Sequence, residues 1–230
     1  AFLEMIVSFL FLRRINTSYT KNETLTMDKN ELLKGKLLTK NIQIIFSNNI
    51  IFLSVIGLSV FWGVSQGLMA VFPSFAKEYL GVTDVFVINA VIGASGIGIA
   101  IGSLIYSKIS KHYIEIGTIP FSALGMALMI YVSTIVQTPF LLGMSFLVFG
   151  IFGGLFVVPL NALIQFNAKK KVLGTILAGN NWFHSLAMFL MLALTTTVSF
   201  YDLDPLNTLY LILLITVIGT SYTIYKLPQS

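Results

Sequence analysis

Cysteine is absent from this chain of 230 residues, which excludes disulfide bonds and thiolate metal sites and leaves the redox compartment unreadable. Charge is the second scarcity. Asp, Glu, Lys and Arg make up only 10% of the residues, against about 25% in a soluble globular domain, and the shortfall excludes that class. Histidine is a third, with two residues in the whole chain. No Ser/His/Asp grouping, no pair of intramembrane carboxylates and no metal-ligand spacing can be assembled from what remains. The expectation is therefore a protein that is not an enzyme, with no catalytic residues, no metal and no cofactor. The formal net charge of +5 is of the sign that nucleic acid attracts, but the basic residues are split among short gaps rather than gathered on one face. Anionic lipid headgroups account for them better.

Apolar length is what the chain has in abundance. Hydrophobic residues are 56% of the total and mean hydropathy is +0.89. Apolar runs of about 20 residues are long enough to cross a ~30 Å hydrocarbon core as helices. Six such runs are expected near 49–76, 85–106, 116–135, 140–164, 174–199 and 206–225. The gaps between them alternate in charge. Lys and Arg occupy 13–47, 107–115, 166–173 and the tail at Lys226, whereas 136–139 is uncharged and 200–205 holds only Asp202 and Asp204. Of the 14 basic residues only Lys77 breaks the alternation, and Glu78 and Asp84 lie close to it. Short loops rich in Lys and Arg stay cytoplasmic, so both ends of the six-span block are expected on that side.

Ahead of the block, Ala1 to Leu12 is apolar but too short to span, and it ends in Arg13-Arg14, the reverse of a signal peptide's charge order. It reads as the cytoplasmic end of a truncated helix, residues 1–12, followed by a cytoplasmic linker at 13–47 and a six-helix transmembrane bundle at 48–226. Within the linker, Asp28-Lys29-Asn30-Glu31 has partial capping-box spacing, and Leu32, Leu33, Leu37 and Leu38 alternate with Lys34, Lys36 and Lys40. That pattern fits either a helix lying on the membrane surface or a plain solvated linker. Asn16-Thr17-Ser18 and Asn22-Glu23-Thr24 match the glycosylation pattern only by chance if the linker is cytoplasmic.

Glycines inside the spans carry packing information. The second span holds Gly93, Gly96, Gly98 and Gly102, the last two in GxxxG spacing, and the fourth holds Gly150, Gly153 and Gly154. Small residues four apart let another helix backbone approach closely, so Gly98, Gly102, Gly153 and Gly154 are expected at helix contacts. Pro159 is expected to kink the fourth span. Gly96-Ile97-Gly98 is no nucleotide loop, because it lacks the third glycine, a preceding strand and an acidic ribose partner.

Six spans with cytoplasmic ends, preceded by a basic linker and the stub of another helix, resemble the C-terminal half of a major facilitator superfamily transporter. That resemblance implies an all-α integral membrane fold of two six-helix halves, with a substrate site at mid-membrane between them. The segment Gly102-Ser-Leu-Ile-Tyr-Ser-Lys108-Ile-Ser-Lys111-His112 is similar to the superfamily's cytoplasmic signature, keeping its glycine and basic end but lacking its Asp and second Gly. A more specific likeness covers most of 60–192. Gly150-Ile-Phe-Gly-Gly-Leu-Phe-Val-Val-Pro-Leu-Asn161-Ala-Leu-Ile-Gln165 and Ala178-Gly-Asn180-Asn181-Trp182-Phe-His184 look like the bacterial lysophospholipid transporter branch, as do Leu80-Gly-Val-Thr-Asp84 and Ile88-Asn-Ala-Val91. Members of that branch flip lysophospholipids, chiefly lysophosphatidylethanolamine, across the bacterial inner membrane for reacylation, and some are fused ahead of an acyltransferase. The resemblance thus implies as partners the lipid bilayer, a lysophospholipid or other amphiphilic small molecule, an N-terminal six-helix half and a fused or associated acyltransferase. It also implies a multi-pass protein of the inner membrane. One departure stands out: where the branch carries a Gln-Asn pair followed by an acidic residue, this chain has Asn180-Asn181 and then His184, which puts acid-dependent coupling in doubt.

Polar groups inside a bilayer need a partner or a task. The candidates for substrate binding are Trp62 and Gln66 in the first span, Asn161 in the fourth, and Asn180, Asn181 and His184 in the fifth, with Asn89 and Gln165 beside them. Asn161 precedes Lys169 by eight residues and Asn180 follows Lys171 by nine, so each lies about 12–14 Å along its helix from the same basic loop. His184 is one turn beyond Asn180 on the same face, and it titrates near neutrality when unperturbed. The bland reading is interhelical hydrogen bonding, worth about 1 kcal/mol for such an Asn. Three other functions fit the same sequence: a drug exporter of the same superfamily, the membrane portion of a bifunctional lipid acyltransferase, and a purely structural scaffold.

Overall fold

The computed structural model describes residues 42–111 and 113–227, and the stub at 1–12 and most of the 13–47 linker lie outside the described residues. Six long helices follow one another: α1 (Asn49–Leu80), α2 (Val85–Ile109), α3 (Thr118–Ile135), α4 (Pro139–Asn167), α5 (Leu173–Phe200) and α6 (Pro205–Lys226). Each is long and apolar enough to cross a membrane. A 3₁₀ turn, Lys170–Val172, leads into α5. This is the all-α, six-helix membrane architecture expected. The helices outrun several of the expected boundaries. α1 continues through Pro73 to Leu80, and α4 runs through Pro159 to Asn167, so neither proline ends its helix.

The ends are set by local chemistry. The Asn48 side chain accepts from Ile50 N at 2.9 Å and Ile51 N at 3.2 Å, closing the start of α1. Gly81 ends it in the left-handed region at φ 63°, where a Cβ would be strained. At the opposite end from the lysines, Asp84 caps α2 through Phe86 N and Asp204 caps α6 through Leu206 N, both at 2.8 Å. Thr138 caps α4, and prolines occupy the first position of α4 and α6, where no amide hydrogen is needed. Asp84 and Asp204 are thus helix caps that also complement the positive ends of the helix dipoles.

Packing repeats with a period of three helices. α2 lies along α4 as α5 lies along α1; α3 lies on α4 as α6 lies on α1; α1 also touches α4, and α3 touches α6. Nested three-helix repeats of this kind build each half of the transporter fold resembled. α1 is the central element, burying Leu53, Leu58, Phe61 and Phe75 almost completely against its neighbours.

The two equivalent seams are built differently. Along α2 and α4 the backbones nearly touch: a Cβ on Gly98 would lie 2.0 Å from the Leu147 carbonyl oxygen, one on Gly102 2.1 Å from that of Ile151, and one on Gly154 2.4 Å from that of Ile99. Gly153 sits instead under the Phe61 ring of α1. Along α1 and α5 two glycines of α1 face α5. Gly63 faces the Ala187 backbone and Gly67 faces the Met191 side chain. That seam is wider, and it holds the polar residues.

Candidate functional site

Two polar side chains are enclosed where α5 meets the rest of the bundle. Asn180 is 3% exposed and His184 9% exposed, one helical turn apart on the same face. Neither finds full satisfaction among the described residues: Asn180 Oδ1 and His184 Nε2 are buried without a hydrogen-bond partner. Leaving a buried polar atom unpaired costs about 1–3 kcal/mol, so such atoms in a lipid-embedded helix need an explanation beyond packing. Trp62 of α1 lies beside them, its ring centroid 6.4 Å from the imidazole at an interplanar angle of 37°. The indole also meets Phe61 edge-on at 5.3 Å, so its other side is anchored in the core. About a third of Trp62 remains exposed, so it forms a partial cover over His184.

The remaining sequence candidates are placed apart from this group. Asn161 is half-buried on α4 and donates its Nδ2 to the Val157 carbonyl at 3.0 Å, a bond within its own helix. α4 and α5 make no extensive contact with each other, because α1 packs against both, so Asn161 does not converge with Asn180 inside this bundle. Gln66 is half-buried, while Asn181, Gln165 and Asn89 are exposed.

A second polar feature was not legible in the sequence. Serines in a helix ordinarily return their hydroxyl to the carbonyl three or four residues back, as Ser59, Ser95, Ser122, Ser133 and Ser145 do here. Ser54 and Ser65 of α1 do not, and both hydroxyls are buried without a partner. Ser65 lines a small, partly open cavity of about 40 Å³ together with Ser95 of α2, Trp62 and Phe149. Nothing in the sequence separates this serine from its neighbours; only the packing around it does. Two larger hollows of about 510 Å³ open at the two ends of the bundle, and neither contains any of the polar residues above.

Among the described residues no cluster of His, Cys, Asp or Glu is arranged to hold a metal ion. The arrangement is a hydrogen-bonding one, with one amide oxygen, one imidazole nitrogen and one hydroxyl presented around an indole inside an apolar wall.

Comparison with known proteins places these features in a family. The lysophospholipid transporter LplT of Photorhabdus laumondii is 29% identical over 150 residues, covering 63% of this chain and 36% of that protein. The proteins of the same name from Serratia proteamaculans and Escherichia coli O157:H7 are 33% and 32% identical, each match covering 61% of this chain. They are matched over 35% and 36% of their own lengths, so the matched part of the chain spans about a third of these curated relatives. No solved structure matches. The model of the Major Facilitator Superfamily matches residues 1–192, most of the chain, and together with the six membrane-length helices this shows that the chain is a multi-pass membrane protein belonging to the Major Facilitator Superfamily.

Proposed function

We propose that this bundle is the C-terminal half of a transporter that moves lysophospholipid, of the lysophosphatidylethanolamine type, across the bacterial inner membrane, with a second six-helix half completing the pathway. The observation that carries the reading is the pair of unpartnered atoms, Asn180 Oδ1 and His184 Nε2, buried at mid-helix beside Trp62. The names of the LplT relatives supply the substrate class.

A phosphoethanolamine headgroup needs acceptors for its ammonium and donors for its phosphate. Asn supplies both, and a neutral imidazole supplies one of each. Both groups are held in an apolar wall, where hydrogen bonds are stronger and competing water is scarce. The partly exposed Trp62 indole lies between His184 and the exterior of the bundle. No proton or metal need act for the headgroup to be recognised this way.

The test is transport of labelled lysophosphatidylethanolamine by the natural full-length protein in proteoliposomes. Wild type should move it in preference to diacyl phosphatidylethanolamine and to a lipophilic cationic drug, and His184→Ala should lower the rate about 10-fold or more at equal reconstitution, the loss expected for one or two hydrogen bonds. Drug transport without lysolipid transport would instead make the protein an exporter. Wild-type rates in His184→Ala would return His184 to the packing residues.

A further inference from the structure

The Ser65 cavity has a chemistry of its own. Its volume of about 40 Å³ exceeds the roughly 10–15 Å³ that one water molecule needs, and the cavity is partly open. It therefore has room for a hydroxyl-sized group. Two serines line it, and their hydroxyls have complementary needs. Ser65 Oγ has no partner, so its proton lacks an acceptor. Ser95 Oγ donates to the Ile92 carbonyl at 2.7 Å, so it is left as an acceptor without a donor. A hydroxyl group entering the cavity satisfies both at once, accepting from Ser65 and donating to Ser95. The rest of the wall is apolar, with Phe146, Phe149 and Trp62 against it, and no charged side chain lines the cavity.

Its place along α1 is as informative as its chemistry. Ser65 follows Trp62 by three residues, about 4.5 Å farther along the axis, and Trp62 is the residue beside His184. Trp62 belongs to both features: one side meets the imidazole, and the residue also lines the cavity. A molecule with its headgroup at Asn180 and His184 therefore passes Trp62 and reaches the cavity with the atoms next to the headgroup. In a lysophospholipid those atoms are the glycerol, whose free hydroxyl is the one group that a diacyl phospholipid lacks.

We propose that Ser65, with Ser95, reads the free glycerol hydroxyl of the substrate, and that the small cavity between them selects lyso- over diacyl-phospholipid. This rests on the transport reading above. A hydroxyl satisfies two otherwise unpaired groups, whereas an ester at the same carbon has no proton to give Ser95. Rejection is thus polar, through groups left unpaired, which is how a buried hydrogen-bonding site excludes a near-analogue.

The experiment compares three lipids on the natural full-length protein in proteoliposomes: lysophosphatidylethanolamine, its analogue with hydrogen in place of the glycerol hydroxyl, and diacyl phosphatidylethanolamine. Wild type should move the hydroxyl-bearing lipid about 3- to 10-fold faster than the deoxy analogue, the range expected for one or two neutral hydrogen bonds. Ser65→Ala should bring that ratio close to one mainly by slowing the lysolipid. Ser54→Ala, which removes the other unpartnered hydroxyl of α1 from a position outside the cavity, should leave the ratio as in wild type. Wild type moving the lysolipid and its deoxy analogue equally would overturn this proposal while leaving the transport reading intact. An unchanged ratio in Ser65→Ala would do the same, and would assign the cavity to an ordered water only. Wild type moving neither lysolipid would overturn the transport reading, and this proposal with it.

Discussion

Adding a single methyl group tests the tightest contact in the bundle. A Cβ placed on Gly98 lies 2.0 Å from the Leu147 carbonyl oxygen and 2.9 Å from Gly150 Cα, where ordinary contact begins near 3.4 Å. Both obstructing atoms are backbone inside α4, so no rotamer change relieves the overlap; one helix must withdraw by about 1 Å or more, giving up dispersion contacts along the seam. Overpacking of a rigid interior costs about 1–3 kcal/mol, and an obstacle of backbone puts Gly98→Ala at the upper end, about 3 kcal/mol. Gly93 and Gly96 are the controls. They lie in the same helix with nothing within 4 Å of the added carbon, so Gly96→Ala should be neutral or stabilising by up to about 1 kcal/mol through helix propensity. Reversible unfolding of the natural full-length protein in detergent micelles reads the difference: about 3 kcal/mol between the two alanine variants, roughly a hundredfold in the unfolding equilibrium. Equal stability of Gly98→Ala and Gly96→Ala would refute the reasoning, since it would mean that the α2–α4 seam is not in backbone contact.

Two further outcomes are expected. Because the chain contains no cysteine, single cysteines at Lys170 and at the exposed Leu203 give a clean labelling background, provided any native cysteines elsewhere in the full-length protein are first replaced. An impermeant thiol reagent added to intact cells should label the Leu203 position alone, and equal labelling of both would sink the orientation inferred from the lysines. At that same end, Tyr79 donates to Asp204 Oδ2 at 2.5 Å while Asp204 Oδ1 caps α6. Asp204→Ala should therefore lower thermal stability more than Tyr79→Phe, by about 1 kcal/mol for the lost cap; a larger effect of Tyr79→Phe would show that the cap is not what Asp204 supplies.

The candidate site residues were only partly legible before the fold was known. Asn180 and His184 stand out in any reading, because an amide and an imidazole inside an apolar run are costly wherever they point, and i, i+4 spacing puts them on one face. Asn161 has the same cost and a matching depth, yet its amide is used by its own helix and α1 stands between α4 and α5. Depth along a helix follows from a count of residues. Azimuth toward a particular neighbour does not, since it depends on which helices pack together.

The sequence by itself determined the class of the molecule, the number and approximate limits of its spans and the expected orientation of its loops, because the hydrophobic effect and the cost of moving charge across lipid act on composition and length. The exact helix ends, closed by Asn48, Gly81, Asp84 and Asp204, came from the structure, although that capping is local chemistry. Only the tertiary structure decided that α2 lies on α4 at backbone contact while the matching α1–α5 seam stays open to side chains, and that Ser65 alone among the serines around its cavity keeps an unused hydroxyl there. The physical reason is the same in each case. Close approach and hydrogen-bond satisfaction are properties of two surfaces together, and the partner surface lies 50 to 120 residues away along the chain, as Gly98 with Gly150 and Trp62 with His184 show.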